Sequence, residues 1–422
     1  MASLRKVARR WRPALRPRAR RKLPSELEAG IVGRLAAALP GGVADPGFEK
    51  LLERIDEEPF HAGNRVEVFF RGQDAFASML ADVDAARTEV LLEAYIFKDD
   101  EVGRTFAGRL IEAVRRGVTV RVLADAFGSL DTRRSFWEFL RENGVDSRLF
   151  HPVGFGLWFF GLRDHRKILV TDRKVAYTGG MNIGEEYGSS LLSSDRVWRD
   201  THARVEGSAA NQMAVVFQEG WKRAGGAAIG LHAGGQQPAA GARVLILDSR
   251  PGRGVQETAS ILAAIGGAAR RRVWVTMAYF APRRRGVGIL RQAAARGVDV
   301  RLILPGKSDL PIVRHAGHGF YSGLLESGVR IFEYQPAVLH AKTLVADGLI
   351  SVIGSTNFDF RSFELNAECN FVIRDAETGE RMERQHEEDL GNSEEIRLVP
   401  WRRRFFLHRA ADVAARRLAP LL

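Results

Sequence analysis

Two short stretches of the chain carry the same three reactive side chains at the same spacing. Both read H-x-K-x4-D, followed after six residues by a Gly-(Gly/Ser)-x-Asn turn. The residues are His165, Lys167, Asp172 and Asn182 in the first copy, and His340, Lys342, Asp347, Ser355 and Asn357 in the second. A single copy of so short a pattern carries a real false-positive risk, whereas two copies with the same continuation indicate a duplicated site.

These residue types suit chemistry at a phosphodiester. The spacing predicts that each His and Lys share one face of a strand, and that the turn returns the Asn beside them. Ammonium and amide groups stabilise the non-bridging oxygens, while one imidazole attacks phosphorus and the other protonates the leaving oxygen. The chain has one cysteine and no ligand cluster at metal-site spacing, so we expect no metal and no other cofactor.

An internal duplication supplies the elements that must position these residues. In the first half, strand-like EVLLEAYIF (89–97) precedes helix-like AGRLIEAVRRG (107–117) and the alternating run VTVRVLAD (118–125). The second half repeats this order with RVWVTMAYF, LRQAAARG and VDVRLILP. Such a rhythm is typical of βαβ units around a buried sheet, so we predict an α/β protein made of two repeat domains.

The same pattern divides the chain into segments. A Gly- and Ala-rich stretch between the repeats reads as a linker, and both ends of the chain are basic. The predicted segments are a basic N-terminal tail and helix (1–60), a first repeat domain (61–223), a linker (224–242), a second repeat domain (243–400) and a basic amphipathic C-terminal helix (401–422).

The charge of the chain indicates a polyanionic partner. The 422 residues include 63 Lys and Arg against 51 Asp and Glu, a net charge of +12. Either nucleic acid or an anionic membrane surface fits this excess. We expect no membrane-spanning helix, because no apolar run reaches the required length of about 18 residues. No apolar stretch of a signal peptide follows the basic first residues, so we expect a protein on the cytoplasmic side of the membrane.

The duplicated motif resembles the HKD motif of the phospholipase D superfamily over roughly residues 61–400. GSTNFDFRSFELNAE (354–368) and the HRKILVTD core are most similar to bacterial cardiolipin synthases, in particular the branch without transmembrane helices. The resemblance implies two tandem phospholipase D-like domains, with βαβ sandwich sheets, that share one active site. It implies phosphatidyl transfer between phospholipids, with phosphatidylglycerol as donor and acceptor, through a phosphatidyl-histidine.

The resemblance also implies a role for each motif residue. One His is the nucleophile and the other the general acid and base; by analogy the first copy supplies the nucleophile, although the motif is symmetric. The Lys and Asn residues and Ser355 match phosphate-binding positions, and the motif aspartates are structural in the family. Two aligned strands, RDTHARVEG and AECNFVIRD, nominate the carboxylates that orient the imidazoles, Asp200 and Glu368. One departure is Gly180, which stands where the second copy has Ser355.

An insertion before the first motif indicates lipid contact. HPVGFGLWFFGLR (151–163) has no counterpart in the second half, and its apolar residues are either buried packing or a lipid-facing lip. The lip reading assigns lipid contact to Phe155, Trp158, Phe159 and Phe160. We therefore expect a peripheral enzyme on an anionic phospholipid membrane with phospholipid substrates. The alternative is a phosphodiesterase that hydrolyses phospholipid or nucleic acid, and the apolar insertion disfavours nucleic acid.

Overall fold

The duplicated sequence folds as one sheet of fifteen strands in which two sets of seven repeat each other. The computed structural model describes residues 37–151, 162–188, 197–230, 240–250, 255–282 and 284–418. Across the sheet the strands run β15-β11-β10-β9-β12-β13-β14-β8-β1-β7-β6-β5-β2-β3-β4. The order 4-3-2-5-6-7-1 in the first half matches 11-10-9-12-13-14-8 in the second, as the repeated pattern predicts.

The strands of the first half are β1 (His61–Phe69), β2 (Glu89–Ala94), β3 (Thr119–Asp125), β4 (Asp146–Phe150), β5 (Ile168–Thr171), β6 (Val175–Gly179) and β7 (His202–Glu206). Those of the second half are β8 (Ala242–Ser249), β9 (Arg272–Met277), β10 (Asp299–Pro305), β11 (Arg330–Tyr334), β12 (Lys342–Ala346), β13 (Ile350–Gly354), β14 (Glu368–Arg374) and β15 (Ser393–Ile396). In each half the three strands from the βαβ pattern pair in parallel and the remaining repeat strands pair antiparallel. The innermost parallel strands, β2 and β9, are buried along nearly their whole length, which is why they read as nearly continuous apolar runs.

Helices cover the sheet on both faces. They are α1 (Pro46–Asp56), α2 (Gly72–Ala85), α3 (Glu101–Arg115), α4 (Arg134–Glu142), α5 (Ala209–Arg223), α6 (Val255–Ala268), α7 (Arg284–Ala295), α8 (Pro311–Leu325), α9 (Phe360–Glu364), α10 (Ala376–Gly391), α11 (Leu398–Arg402) and α12 (Phe406–Leu418). No helix in the described ranges is both long and apolar enough to cross a membrane.

One apolar core joins the two halves. Phe217 and Trp221 of α5 are fully buried, and they belong to a cluster that includes Val68 of β1 and Phe371 of β14. Strands β1 and β8 pair antiparallel at the centre of the sheet, so the sheet continues from one half into the other. Each half therefore presents its motif at the same central region. The proposed segment boundaries stay predictions, with α5 ending and β8 beginning close to the ends of the predicted linker.

Candidate active site

The two motif histidines lie just before their strands, and the prediction that each sits on a strand with its Lys is wrong. Strand β5 begins at Ile168 and β12 begins at Lys342. The backbone N–H of each His donates instead to a carbonyl of the other half. His165 bonds to the oxygen of Ala367 at 2.9 Å, and His340 bonds to that of Arg199 at 2.7 Å. These bonds pull the chain out of the strand pairing and fix both histidines where the halves meet.

Each imidazole is held by a carboxylate from the opposite half. Nδ1 of His165 lies 3.0 and 3.1 Å from the two oxygens of Glu368, at the start of β14. Nδ1 of His340 lies 2.7 Å from Oδ2 of Asp200, just before β7. All four side chains are buried. Because Nδ1 is engaged in both rings, Nε2 is left as the reactive nitrogen of each.

Burial sets the protonation of this site. It lowers the pKa of His165 below its ordinary value, and it lowers that of His340 further, with Lys342 and Lys167 adding to the effect. The charge of His165 also lowers the pKa of His340 across the junction between the halves. Both imidazoles are thus neutral near pH 7, as a nucleophile must be.

The two carboxylates differ in acidity. Glu368 has a lowered pKa despite its burial, because His165, Lys167 and the hydroxyl of Ser355 stabilise its charge. Burial raises the pKa of Asp200 to about 6, although Lys342 and the N–H of Thr201 oppose that rise. The two halves therefore offer unequal partners to their histidines.

Two buried lysines add positive charge to the same centre. Nζ of Lys167 donates to the carbonyl of His165 at 2.7 Å, and Nζ of Lys342 donates to that of His340. Burial lowers the pKa of Lys167 to about 7 and that of Lys342 to about 8, and the ammonium of Lys342 adds to the lowering at Lys167. Such crowding of cations is relieved by a bound anion, which is what a phosphate group supplies.

The motif aspartates lie at the far ends of their strands. Asp172 accepts hydrogen bonds from the N–H groups of 87–89, and Asp347 accepts from those of 270–272, all between 2.7 and 3.0 Å. Both residues have positive φ, 51° and 54°, at the turn after the strand. Their contacts are those of turn-fixing residues, in keeping with the structural role that the family resemblance implies.

The hydrogen bonds of the other motif side chains differ from one another. Asn182 accepts from the N–H of Ile96 at 3.1 Å and donates to the hydroxyl of Tyr187 at 2.8 Å. Ser355 donates to Oε2 of Glu368 at 2.5 Å. Asn357 is buried, and its Oδ1 has no hydrogen-bond partner in the described structure. Of these three side chains, Asn357 thus keeps a free polar atom for a ligand.

The substitution of Gly180 for Ser has a steric cause. A Cβ at Gly180 would lie 2.1 Å from Oδ1 of Asp200, so the shorter carboxylate occupies the space that a serine would fill. In the second half, Ser355 and the longer Glu368 fill the equivalent space together. Gly180 and Asp200 therefore form a matched pair, as do Ser355 and Glu368.

Aromatic rings around the histidines were not assigned to the site from sequence. The ring of Tyr95 lies 4.9 Å from that of His165, and the rings of Tyr279, Tyr187 and Trp198 lie 6.0, 5.5 and 5.2 Å from that of His340. The Ala-Tyr pair repeated in AYIF and AYFA was a signal for the two equivalent tyrosines. No repeated sequence of this kind indicated that Trp198 lies beside His340. The predicted lip residues, Phe155, Trp158, Phe159 and Phe160, lie outside the described residues.

Comparison with known proteins finds the same duplication. A family model described as "Cardiolipin synthase, PLD-like domain" matches residues 79–221 and again 261–390. Cardiolipin synthase 1 of Bacillus anthracis is 32% identical over 434 aligned positions, which cover 98% of this chain and 84% of that protein. A cardiolipin synthase of Geobacillus kaustophilus is 33% identical over 389 positions, covering 88% and 75%.

Solved structures share the fold at much lower identity. The crystal structure of a phosphatidylserine synthase from Haemophilus influenzae superposes with a TM-score of 0.68 at 13% identity, covering 89% of this chain and 100% of that one. A polyphosphate kinase from Porphyromonas gingivalis superposes with a TM-score of 0.54 at 15% identity, covering 82% and 50%.

Proposed function

The chain belongs to the cardiolipin synthase family and is a phosphatidyltransferase of the phospholipase D superfamily, and from that premise we propose how its own residues perform the transfer. One phosphatidylglycerol is the phosphatidyl donor and a second is the acceptor. The products are cardiolipin and glycerol. One phosphodiester replaces another, so the reaction needs no nucleotide and no redox partner.

The observation that carries the proposal is the crossed pairing of imidazoles and carboxylates. His165 is held by Glu368 and His340 by Asp200, each across the junction between the halves. A general acid and a nucleophile must lie on opposite sides of one phosphorus atom for an in-line displacement. Two histidines related by the internal duplication, both held at Nδ1, provide one group for each of these positions.

In the first step, Nε2 of His165 attacks the phosphorus of the donor and the bond to glycerol breaks. His340 gives a proton to the departing glycerol oxygen, and the phosphatidyl group stays on His165. Glu368 stabilises the positive charge that develops on the His165 ring, since its own pKa is held low. The ammonium groups of Lys167 and Lys342 offset the charge on the non-bridging oxygens.

In the second step, His340 takes the proton from a hydroxyl of the acceptor phosphatidylglycerol. That oxygen attacks the phosphorus, and the bond to Nε2 of His165 breaks. His340 must be protonated for the first step although its pKa is low in the free protein. The phosphodiester anion supplies the compensation, because a negative charge beside an imidazole raises its pKa.

The carboxylate that holds His165 supports the assignment of this His as the nucleophile. Glu368 has the lower pKa of the two carboxylates, so it stays charged and can stabilise an imidazolium. His340 faces Asp200, whose pKa of about 6 suits a partner that shares a proton during transfer. We place the enzyme at the cytoplasmic face of the membrane as a peripheral protein, in contact with anionic phospholipid.

The test traps the intermediate. Incubation with phosphatidylglycerol labelled in its phosphate, followed by a denaturing quench, should leave label on a peptide that contains His165. The variant His165→Ala should carry no label and make no cardiolipin. Label only on the peptide of His340 would reverse the two roles. Release of phosphatidic acid in place of cardiolipin, measured by mass, would make the enzyme a hydrolase.

A further inference from the structure

The C-terminal segment, residues 398–418, exposes an unusual number of large apolar side chains. Half of the ten exposed large hydrophobic residues of the described structure lie in it. They are Val399, Phe405, Phe406, Leu407 and Val413, each between 55% and 66% exposed. We propose that this segment is a docking surface for an anionic phospholipid bilayer, an inference that rests on the proposed function and adds the element that seats the enzyme on its substrate.

The apolar face of α12 points away from the protein. Ala415 is buried against Val313 and Ala316 of α8, which fixes the side of α12 that faces inward. Phe406, Ala410 and Val413 recur at helical spacing on the side turned from Ala415, and all three are exposed. A helix with one side on the protein and the other in water would bury its apolar side chains and expose its polar ones.

Polar contacts hold α12 firmly in this orientation. Asp412 is buried; its Oδ1 lies 2.8 Å from Nδ1 of His315 and 3.2 Å from Nδ1 of His318, and its Oδ2 accepts from Arg404 at 2.9 Å. His318 also contacts Glu333 at 3.1 Å through Nε2. The exposed apolar stripe is thus a fixed surface of the fold.

The charge of the segment identifies its partner. Residues 398–418 contain six arginines and one acid, Asp412, which is buried. A second copy of this surface would bring like charges together. The chain's own N-terminal tail would do the same, since it has ten basic residues and no acid before Glu26. An anionic bilayer offers negatively charged headgroups to the arginines and acyl chains to the apolar stripe.

The docking surface is connected to the active site through α8. That helix follows Asp309, which accepts a hydrogen bond from Tyr279 at 2.6 Å, and the ring of Tyr279 lies 6.0 Å from that of His340. Leu310 and Ile312, beside Asp309, are 45% and 40% exposed. Docking of α12 on a bilayer therefore brings the start of α8, which Tyr279 links to His340, towards the lipid surface.

The experiment measures vesicle binding by the full chain. The docking variant carries Phe406→Ser, Leu407→Ser and Val413→Ser. A single Phe406→Ser, at a ring 66% exposed, is compared with Phe139→Ser, which removes a ring 48% exposed from α4. On vesicles of phosphatidylcholine with phosphatidylglycerol, the triple variant should bind about tenfold more weakly or worse. Phe139→Ser should bind like the wild type.

A charge variant separates the two contributions. Arg403→Gln, Arg409→Gln and Arg417→Gln should weaken binding to phosphatidylglycerol vesicles and leave the weak binding to pure phosphatidylcholine unchanged. The control changes Arg115, Arg134 and Arg384 to Gln, which removes the same net charge from exposed positions elsewhere. Equal losses in the two sets would mean that total charge acts, and the proposal would be wrong.

A direct probe does not depend on the folding of these variants. The one native cysteine, Cys369, is buried, so Ala410→Cys allows selective labelling with an environment-sensitive fluorophore. Anionic vesicles should shift its emission to the blue, and the same label at Arg134→Cys should not respond. Absence of a shift at position 410 would contradict the proposal. So would a dimeric wild type that the triple variant makes monomeric, since the surface would then be a subunit interface.

Activity on a soluble substrate keeps the two proposals apart. With short-chain phosphatidylglycerol below its aggregation limit, the docking variant should form the cardiolipin product at the wild-type rate. On vesicles its rate should fall with its binding. If the wild type binds vesicles through this surface and makes no cardiolipin from either substrate, the catalytic proposal fails and the docking surface stands.

Discussion

At the scale of single residues, the two halves of the site differ where their carboxylates meet the backbone. Asp200 leaves no room for a side chain at Gly180, and Glu368 is held by the hydroxyl of Ser355. This difference accompanies a raised pKa for Asp200 and a lowered one for Glu368. Unequal carboxylates give the two histidines unequal surroundings, which a symmetric motif alone does not provide.

Exchanging these partners should impair catalysis unequally. Gly180→Ser would displace the Asp200 carboxylate from His340, and we expect a loss in kcat of about a hundredfold or more, as when an orienting carboxylate is removed. Ser355→Gly removes one hydrogen bond to Glu368 and should cost about tenfold. Gly108→Ser is the control, because a Cβ there meets nothing within 4 Å. Wild-type activity in Gly180→Ser would contradict the pairing.

The buried lysines should make stability depend on pH. Folding lowers the pKa of Lys167 from 10.5 to about 7 and that of Lys342 from 10.5 to about 8. Between pH 8 and 10 the unfolded chain thus binds more protons, so the free energy of unfolding rises with pH by about 1.4 kcal/mol per unit for each lysine. This contribution is lost as the pH falls towards 7.

Denaturant titrations across this range would measure the effect. The difference in slope between the wild type and the double variant Lys167→Met, Lys342→Met isolates the two lysines from other groups. Inorganic phosphate should restore the charged forms, so its binding at pH 8 should take up protons, detectable by calorimetry in buffers of different ionisation enthalpy. Equal slopes in both proteins would show that these ammonium groups are not destabilised by folding.

At the scale of the elements, the sequence predicted the strands and their repetition better than the way the halves meet. The repeated order of βαβ units could be predicted because strand-like segments rich in apolar residues alternate with helix-like segments in the same order in both halves. The pairing of His165 with Glu368 across the halves could not be predicted from the sequence. Asp200 and Glu368 lie at equivalent places in the repeat, so the sequence alone does not assign each carboxylate to one His. The packing of the two halves against each other decides which carboxylate contacts which His, through bonds such as that from His165 to Ala367.

The crossed pairing can be tested by double-mutant cycles on the free energy of unfolding. His165→Asn combined with Glu368→Gln should show a coupling of about 0.5–3 kcal/mol, because the two side chains touch. His165→Asn combined with Asp200→Asn should be close to additive, since no hydrogen bond joins that pair in the described structure. Stronger coupling in the second cycle would show that each His pairs within its own half.

At the scale of the whole molecule, the two halves are held together by more than the chain that connects them. Arg166 is 1% exposed and forms ion pairs with Glu93 of the first half and Asp248 of the second, at 3.3 and 3.1 Å. Strands β1 and β8 pair, and α5 packs into a core built from both halves. The candidate active site lies at the same junction.

A cut in the predicted linker should therefore leave the folded enzyme active. A protease site inserted between residues 231 and 239, and cleaved after folding, severs the chain between α5 and β8. The two fragments should elute together in gel filtration and separate only on a denaturing gel, with cardiolipin formation unchanged. After unfolding, recovery of activity should depend on concentration, because the first half supplies Asp200 to His340 and the second supplies Glu368 to His165. Separate elution of active fragments would mean that each half holds a complete site, and the crossed carboxylates would then have no catalytic part.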